Sequence, residues 1–514
     1  MKRVRVFLLN GIVLTITSFL MSGIGVWFSL YLTNKIGAEM MGVYQLIMSV
    51  YSFGVTLATS GINLAATRQI AEVLGKNSRA GLRHILVKCL LYSLFFGTLA
   101  CVILLLFGEQ IGLFWLKNEQ TILPLKIMAV SFPFIAMSSV LSGYFTAVRR
   151  VYKNASVQIL EQFFKIFLTI WLLTLLMPRG LEYACVAIAL SGTISEGISF
   201  LSAWLLYLFD RRRYTGAPVR GTGRQMLGIA LPVALSSYLR SGLMTLKNLL
   251  VPIQLQKYGM SAKEAVSAFG IVHGIVLPVI LFPSSFLFSF TGLVIPELAE
   301  AHSKNAQIER NVRIQYIINR MIQVTLLFSI GVAGILFVFS APVAGAVSGQ
   351  AGVSGYIRLL APIIPVMYLD NTVDNMLKGL NEQVSSMRYN IIDAFLCVIF
   401  VFSLLPVFGL KGYLFIICFS EVLNFALSFN RLVTVSAFRL DLKNGVVKPL
   451  VCIAGASLLA VWLLRAPFAT QLSPAMQTTF VTAATLLLYC LFLRLTGCFS
   501  SEDTAWLKNI IFKR

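Results

Sequence analysis

Charge is what this chain of 514 residues has little of: charged side chains make up 12% and hydrophobic ones 58%. A soluble domain carries about a quarter charged residues, so a solvated globular fold is excluded. Histidine occurs only at positions 84, 273 and 302, with no ligand spacing, and the eight cysteines are scattered without a CxxC. Zinc sites and a disulfide framework are both poorly supported, and no metal or organic cofactor is expected. No phosphate loop or nucleophile-and-base arrangement appears, and no polar stretch is long enough for a soluble catalytic domain, which argues against an enzyme. A cleaved leader is lacking too. The opening "MKRVRVFLLNGIVLTITSFLMSGIG" has a basic start, but its apolar run continues to about residue 33 without a small-x-small cleavage site.

What is present is a succession of apolar runs of roughly 20 residues, the length that crosses about 30 Å of hydrocarbon as a helix. About fourteen are expected, near 7–33, 40–62, 85–108, 122–148, 157–178, 183–209, 226–256, 266–296, 314–341, 353–380, 389–408, 412–438, 447–464 and 477–497. The net charge of +22 could suggest nucleic acid, but its location decides otherwise. About 30 of the 42 lysines and arginines fall in or beside alternate connections, the side that also holds both termini. This is the positive-inside pattern; it predicts cytoplasmic termini and contact with anionic membrane lipids rather than nucleic acid.

The chain also repeats itself. "SFLMSG" (Ser18 to Gly23) echoes "SYLRSG" (Ser237 to Gly242), and "LAATRQIAE" (Leu64 to Glu72) echoes "GLVIPELAE" (Gly292 to Glu300). "QILEQFFKIFL" (Gln158 to Leu168) resembles "NIIDAFLCVIF" (Asn390 to Phe400), and "SEGISF" (Ser195 to Phe200) matches "SEVLNF" (Ser420 to Phe425). The offsets stay between 219 and 232 residues in the same order. Six spans separate the copies, an even number, so the halves lie parallel, an arrangement in which transporters place substrate between them. The expected fold is an all-α membrane protein of two parallel six-helix lobes plus two extra helices. Its divisions are 1–212, 213–440 and 441–514. The polar, Gly-rich "DRRRYTGAPVRGTGRQ" (Asp210 to Gln225) is the hinge, and "SSEDTAWLKNIIFKR" at the end reads as a helix lying on the cytoplasmic surface.

A charge at the bilayer centre costs about 2.5–3.5 kcal/mol on insertion scales, so such residues face a bundle interior or water. Arg240 and Lys247 in the seventh span are seven residues apart and share a helical face. Either they line a central cavity and attract an anion, or Lys247 snorkels and Arg240 pairs with a carboxylate. In the tenth span, after Pro362 and Pro365, Asp370 and Asp374 lie four apart. Such a pair can exchange protons or hold Na⁺, or it can neutralise Arg240. Glu161 with Asp393, and Glu196 with Glu421, occupy matching repeat positions, which favours a role in helix packing; Glu161 has Lys165 at i+4 as an ion-pair partner. His273 reads as a satisfied interior group or a proton relay. Arg68 closes the second span, as a topology charge or as a contact for a headgroup arriving from the cytoplasm. Prolines 232, 252, 278, 283 and 296 crowd the seventh and eighth spans, so bending is expected in the second lobe.

"LSGYFTAVRRVYKNASVQILEQFFKI" (Leu141 to Ile166), "SGINLAATRQIAE" and "VIPELAEAHSKN" resemble the stage V sporulation protein B group. That group is a bacterial polysaccharide-export branch of the multidrug, oligosaccharidyl-lipid and polysaccharide (MOP) exporter superfamily. The resemblance implies a bacterial plasma-membrane flippase that turns undecaprenyl-diphosphate-linked saccharide from inner to outer leaflet by alternating access. It further implies diphosphate contact through Arg240 and Lys247, beside which Arg68 is a headgroup candidate by its position alone, and a polyprenyl groove at spans 13 and 14. Coupling to H⁺, Na⁺ or the membrane potential would run through Asp370 and Asp374, and cell-wall synthesis proteins would be further partners. One departure is that no lysine or arginine lies between Arg5 and Lys35, whereas lipid II flippases carry arginines inside the first helix. A cation-coupled multidrug exporter is the rival reading; it would want acid in the first lobe's cavity, and spans 1 and 2 have none before Glu72. A non-transporting scaffold would have no reason to bear the insertion cost of these charges.

Overall fold

A computed structural model describes residues 2–59, 61–75, 82–148, 150, 152–180, 182–211, 222–287, 298, 307–348, 350, 352–436, 441–464 and 474–498, together with the backbone of 151. Side chains are described from residue 17 onward, apart from 64, 68, 71–75, 82–84, 151, 211, 222–233, 307–310, 464, 474 and 475. The amphipathic tail, most of the hinge and the "GLVIPELAE" repeat lie outside the described residues. In chain order the first lobe holds α1 (Lys2–Thr59), α2 (Ile62–Gly75), α3 (Leu82–Gln110), α4 (Ile122–Ala129), α5 (Phe132–Ala147), α6 (Val151–Leu176) and α7 (Tyr183–Arg211). The second holds α8 (Thr222–Lys257), α9 (Ala262–Ile271), α10 (Leu277–Leu281), α11 (Gln307–Val338), α12 (Ser340–Val347), α13 (Val353–Leu360), α14 (Ile364–Gly379) and α15 (Gln383–Ser436). α16 (Lys448–Leu464) and α17 (Pro474–Leu495) follow. Among the described residues there is no strand.

Among the described residues ten helices are long and apolar enough to cross a membrane, or eleven if the pair Glu119–Ala129 and Phe132–Ala147, bent by 42°, is one crossing. This differs from the expected fourteen for physical reasons. α1 and α15 are each broken at a glycine with positive φ, Gly37 (82°) and Gly409 (55°), so each comprises two helices and carries two of the expected runs. α15 folds back there: Ser420 of its second arm donates to Asp393 of its first at 2.9 Å. α8, 36 residues long, carries the seventh expected run in addition to these.

Bending is not restricted to the second lobe, as the prolines suggested: the first holds the pair bent by 42° and a π-helical turn at Ile111–Trp115. α8 is continuous past Pro232 and Pro252. The break falls in the eighth span, where α9 passes into a π-helical turn, Val272–Val276, and then into α10 with Pro278 in its first turn. Pro296 lies outside the described residues.

The lobes meet through α1 against α8 and α9. A Cβ on Gly42 would overlap the Val266 carbonyl, and one on Gly270 would overlap the Ala38 carbonyl, so the two backbones touch only because both residues lack side chains. Glu39 and Lys263 pair at 2.9 Å beside this contact. The largest buried cluster runs from Phe28 and Leu32 through Val272 and Val276 to Tyr368, and so belongs to both lobes. α16 and α17 pack on α11, where the Tyr489 hydroxyl donates to the Leu327 carbonyl at 2.7 Å. Outward faces carry exposed Phe114, Trp462 and Leu458, each about 70% accessible without lipid. Apolar surface on that scale is stable only in a bilayer.

Candidate functional site

Three rows of small polar side chains, each at helical spacing, turn toward one another where the lobes meet. The second arm of α1 contributes Gln45, Ser49 and Ser52, and α8 contributes Ser241, Thr245 and Asn248. α6 adds Gln162 and Lys165, and the π turn adds His273. They line a cavity of about 520 Å³ whose apolar wall is Phe28, Leu32, Met41, Tyr44, Met48 and Met244. The polar rows also fasten the lobes together. Thr245 donates to the Ser49 carbonyl at 3.0 Å, Asn248 to the Ser49 hydroxyl at 3.1 Å, and Ser29 to the Gly274 carbonyl at 2.8 Å. Among the described lining residues there is no carboxylate.

Arg240 and Lys247 share a face, as their spacing requires, but not the cavity-lining one. They lie about 100–120° round α8 from the Ser241 row, toward the first arm of α15. Arg240 is exposed and Lys247 half-buried. Asp393 is within electrostatic reach of both, and Glu421 and His273 of Lys247. Among the described residues neither cation closes an ion pair, with Asp370 and Asp374 or with any other acid. Arg68 stands in α2, but its side chain lies outside the described residues.

Asp370 and Asp374 are one turn apart on α14 in unequal settings. Asp374 is saturated: Oδ1 accepts from Ser386 (2.8 Å) and Ser428 (3.2 Å), and Oδ2 from Asn390 (3.3 Å). Asp370, 8% accessible, receives the Asn424 amide on Oδ2 at 2.9 Å, while its Oδ1 is buried with no donor among the described residues. A buried carboxylate oxygen left bare is costly unless a proton or cation joins it. Of the two, Asp370 is the ion-binding candidate and Asp374 the scaffold.

The repeat-matched acids show related chemistry. Glu161 accepts from Ser199 at 2.7 Å in the first lobe, and Asp393 from Ser420 at 2.9 Å in the second. The expected ion pair between Glu161 and Lys165 does not close; Lys165 stays within electrostatic reach of Glu161 and Glu196 while lining the cavity. His273 is a satisfied group, its ring Nε2 2.6 Å from the Tyr413 hydroxyl and its face 4.4 Å from the Phe269 ring centroid, yet it borders the cavity as well. Sequence reasoning gave Lys165 only as an ion-pair partner of Glu161 and passed over the polar rows. The signal was there: Gln45, Ser49 and Ser52, and Ser241, Thr245 and Asn248, are polar stripes at i, i+4 and i+7 in otherwise apolar runs.

A family profile described as polysaccharide biosynthesis protein matches residues 7–253. The helical fold with its cavity is that of membrane transporters of the MOP superfamily. Within that class it is similar to stage V sporulation protein B of Bacillus subtilis (strain 168), 24% identical over 387 residues, 73% of this chain and 74% of that one. The fold is also that of the lipid II flippase MurJ in an inward closed conformation (TM-score 0.65, 14% identity, 94% of this chain and 99% of that one). A multidrug resistance MATE family transporter in an inward-facing conformation is comparable (TM-score 0.64, 17% identity, 82% and 96%).

Proposed function

We propose that the protein is a flippase of the bacterial plasma membrane that carries undecaprenyl-diphosphate-linked saccharide from the inner to the outer leaflet by alternating access, with both termini cytoplasmic. The observation that carries this reading is the cavity between the lobes, lined by hydroxyls and amides and, among its described residues, by no carboxylate. Hydroxyl and amide side chains suit the hydroxyls of a sugar, because each can both donate and accept. A volume of about 520 Å³ is of the size that encloses a headgroup; the polyprenyl tail stays in lipid beside α16 and α17. A cation-coupled multidrug exporter shares the fold, but an organic cation would need an acid in the cavity wall.

Arg240 and Lys247, with Arg68 at the cytoplasmic end of the second span, supply the positive field that draws the diphosphate in. Asp370 takes up the coupling H⁺ or Na⁺, and the inside-negative potential favours outward movement of a net anion by about 2.3 kcal/mol per charge per 100 mV. Cell-wall synthesis proteins would consume the product outside. The test is flipping of a fluorescent undecaprenyl-diphosphate disaccharide in liposomes. The parent should flip it, and Arg240→Ala and Lys247→Ala should each slow it about tenfold, as expected for loss of one charge-assisted contact. Variants as fast as the parent would remove the headgroup role of these two cations.

A further inference from the structure

The cavity holds one cation among its described lining residues, and it comes from a helix that the repeat pattern assigned to packing. Lys165 of α6 lines it beside Gln162, one helical turn before, and opposite Asn248 of α8. Two glutamates stand behind the lysine within electrostatic reach, but Glu161 is engaged by Ser199, and neither closes an ion pair with Lys165 among the described residues. An anion arriving from the cavity side therefore meets an ammonium that no carboxylate has claimed. Asn248 gives its amide nitrogen to the Ser49 hydroxyl at 3.1 Å and belongs to the row of polar side chains that α8 turns to the cavity. A compact point charge and rows of hydroxyls and amides in a cavity of sugar size describe a site for a phosphorylated saccharide.

We infer that Lys165 is the anion-binding group of the cavity, engaging the phosphate of a phosphorylated saccharide whose hydroxyls are met by Gln162 and Asn248. This deepens the flippase reading and rests on it. It also separates two tasks: the cations of α8 attract the headgroup, and Lys165 holds it.

The test uses the full chain purified in detergent, with three probes: undecaprenyl-diphosphate disaccharide, UDP-N-acetylglucosamine and neutral undecaprenol. Lys165→Gln should weaken binding of the first by about tenfold or more, the effect of one charge-assisted hydrogen bond. Lys165→Arg should stay within about threefold, because the charge is retained, and undecaprenol binding should not change. Competition by UDP-N-acetylglucosamine would assign the site to phosphorylated sugars in general, and its failure to compete to the lipid-linked form. If Lys165→Gln does not fold, the pair Lys165→Gln with Glu161→Gln restores local neutrality and is read in its place. Unchanged affinity in either variant, or an equal loss for undecaprenol, overturns the assignment. A parent protein that flips no lipid-linked saccharide in liposomes overturns the flippase reading itself, whereas a flipping parent with an indifferent Lys165→Gln overturns only the role of Lys165.

Discussion

The two lobes carry the same device with the parts rearranged. Each has an acid on its fifth helix crossing that accepts a serine hydroxyl from the sixth, Glu161 from Ser199 and Asp393 from Ser420, and each brings a second acid, Glu196 or Glu421, and a lysine near it. In the first lobe the lysine is Lys165, four residues after its own acid and facing the cavity. In the second it is Lys247, delivered by α8 on a face turned from the cavity-lining row. The second lobe alone adds Asp370 and Asp374; between Glu119 and Glu161 the first lobe has no acid at all. The acid and serine pair is thus shared, while the lysine beside it faces the cavity in one lobe and turns from the cavity-lining row in the other. Parallel repeats permit this, because each copy can drift while the pseudo-two-fold packing is kept.

The lobes differ again where the fourth and fifth crossings are tied to the sixth. In the first lobe Arg150 and Lys153 converge on Asp210, whose side chain is 5% accessible. In the second, Arg431 grips Glu382 with two nitrogens, 3.1 and 2.7 Å, near the surface, at 37% and 22% accessibility. The polarity is reversed as well: the acid belongs to the sixth crossing in one lobe and to the turn before the fifth in the other.

The largest effect expected from this contrast is on stability. Asp210→Ala strands two cations in a nearly buried position and should cost about 3–5 kcal/mol, read as a large drop in the melting temperature of the detergent-solubilised protein. Next in size, Asp370→Asn should abolish the dependence of flipping on an imposed Na⁺ or pH gradient, while Glu196→Gln in the first lobe leaves that dependence intact; the reverse result would exchange the roles assigned to the lobes. The smallest effect is Glu382→Gln, expected to move the melting temperature by no more than about 2 °C, as for an exposed pair. A drop matching that of Asp210→Ala would erase the distinction between a buried and a surface tie.

Hydropathy sufficed for the class of fold because the bilayer forces every crossing to bury its backbone bonds in a helix. It also located the divisions inside the two longest helices, since the expected runs stop at 33 and 408 and resume at 40 and 412, on either side of Gly37 and Gly409. The positive φ that makes each division belongs to the glycine and is not visible in a hydropathy window. The site was legible in part. Arg240, Lys247, Asp370 and Asp374 stood out because charge in lipid is rare, and the structure does place the first two on one face and the last two one turn apart. Lys165 was assigned to an ion pair because an acid stands four residues before it, and that pair does not close.

What the amino-acid order determined alone is therefore local and periodic: crossings, their parallel duplication, and which side chains share a helical face, all of which follow from the 3.6-residue turn and the cost of charge in hydrocarbon. Which face meets the cavity was decided only by how α1, α6 and α8 are rotated against one another, since a rotation of about 100° exchanges the Ser241 row for Arg240 and Lys247 without altering any spacing. That rotation is set by contacts between distant segments, Thr245 on the Ser49 carbonyl and Asn248 on the Ser49 hydroxyl among them, and such contacts exist only after the chain has folded.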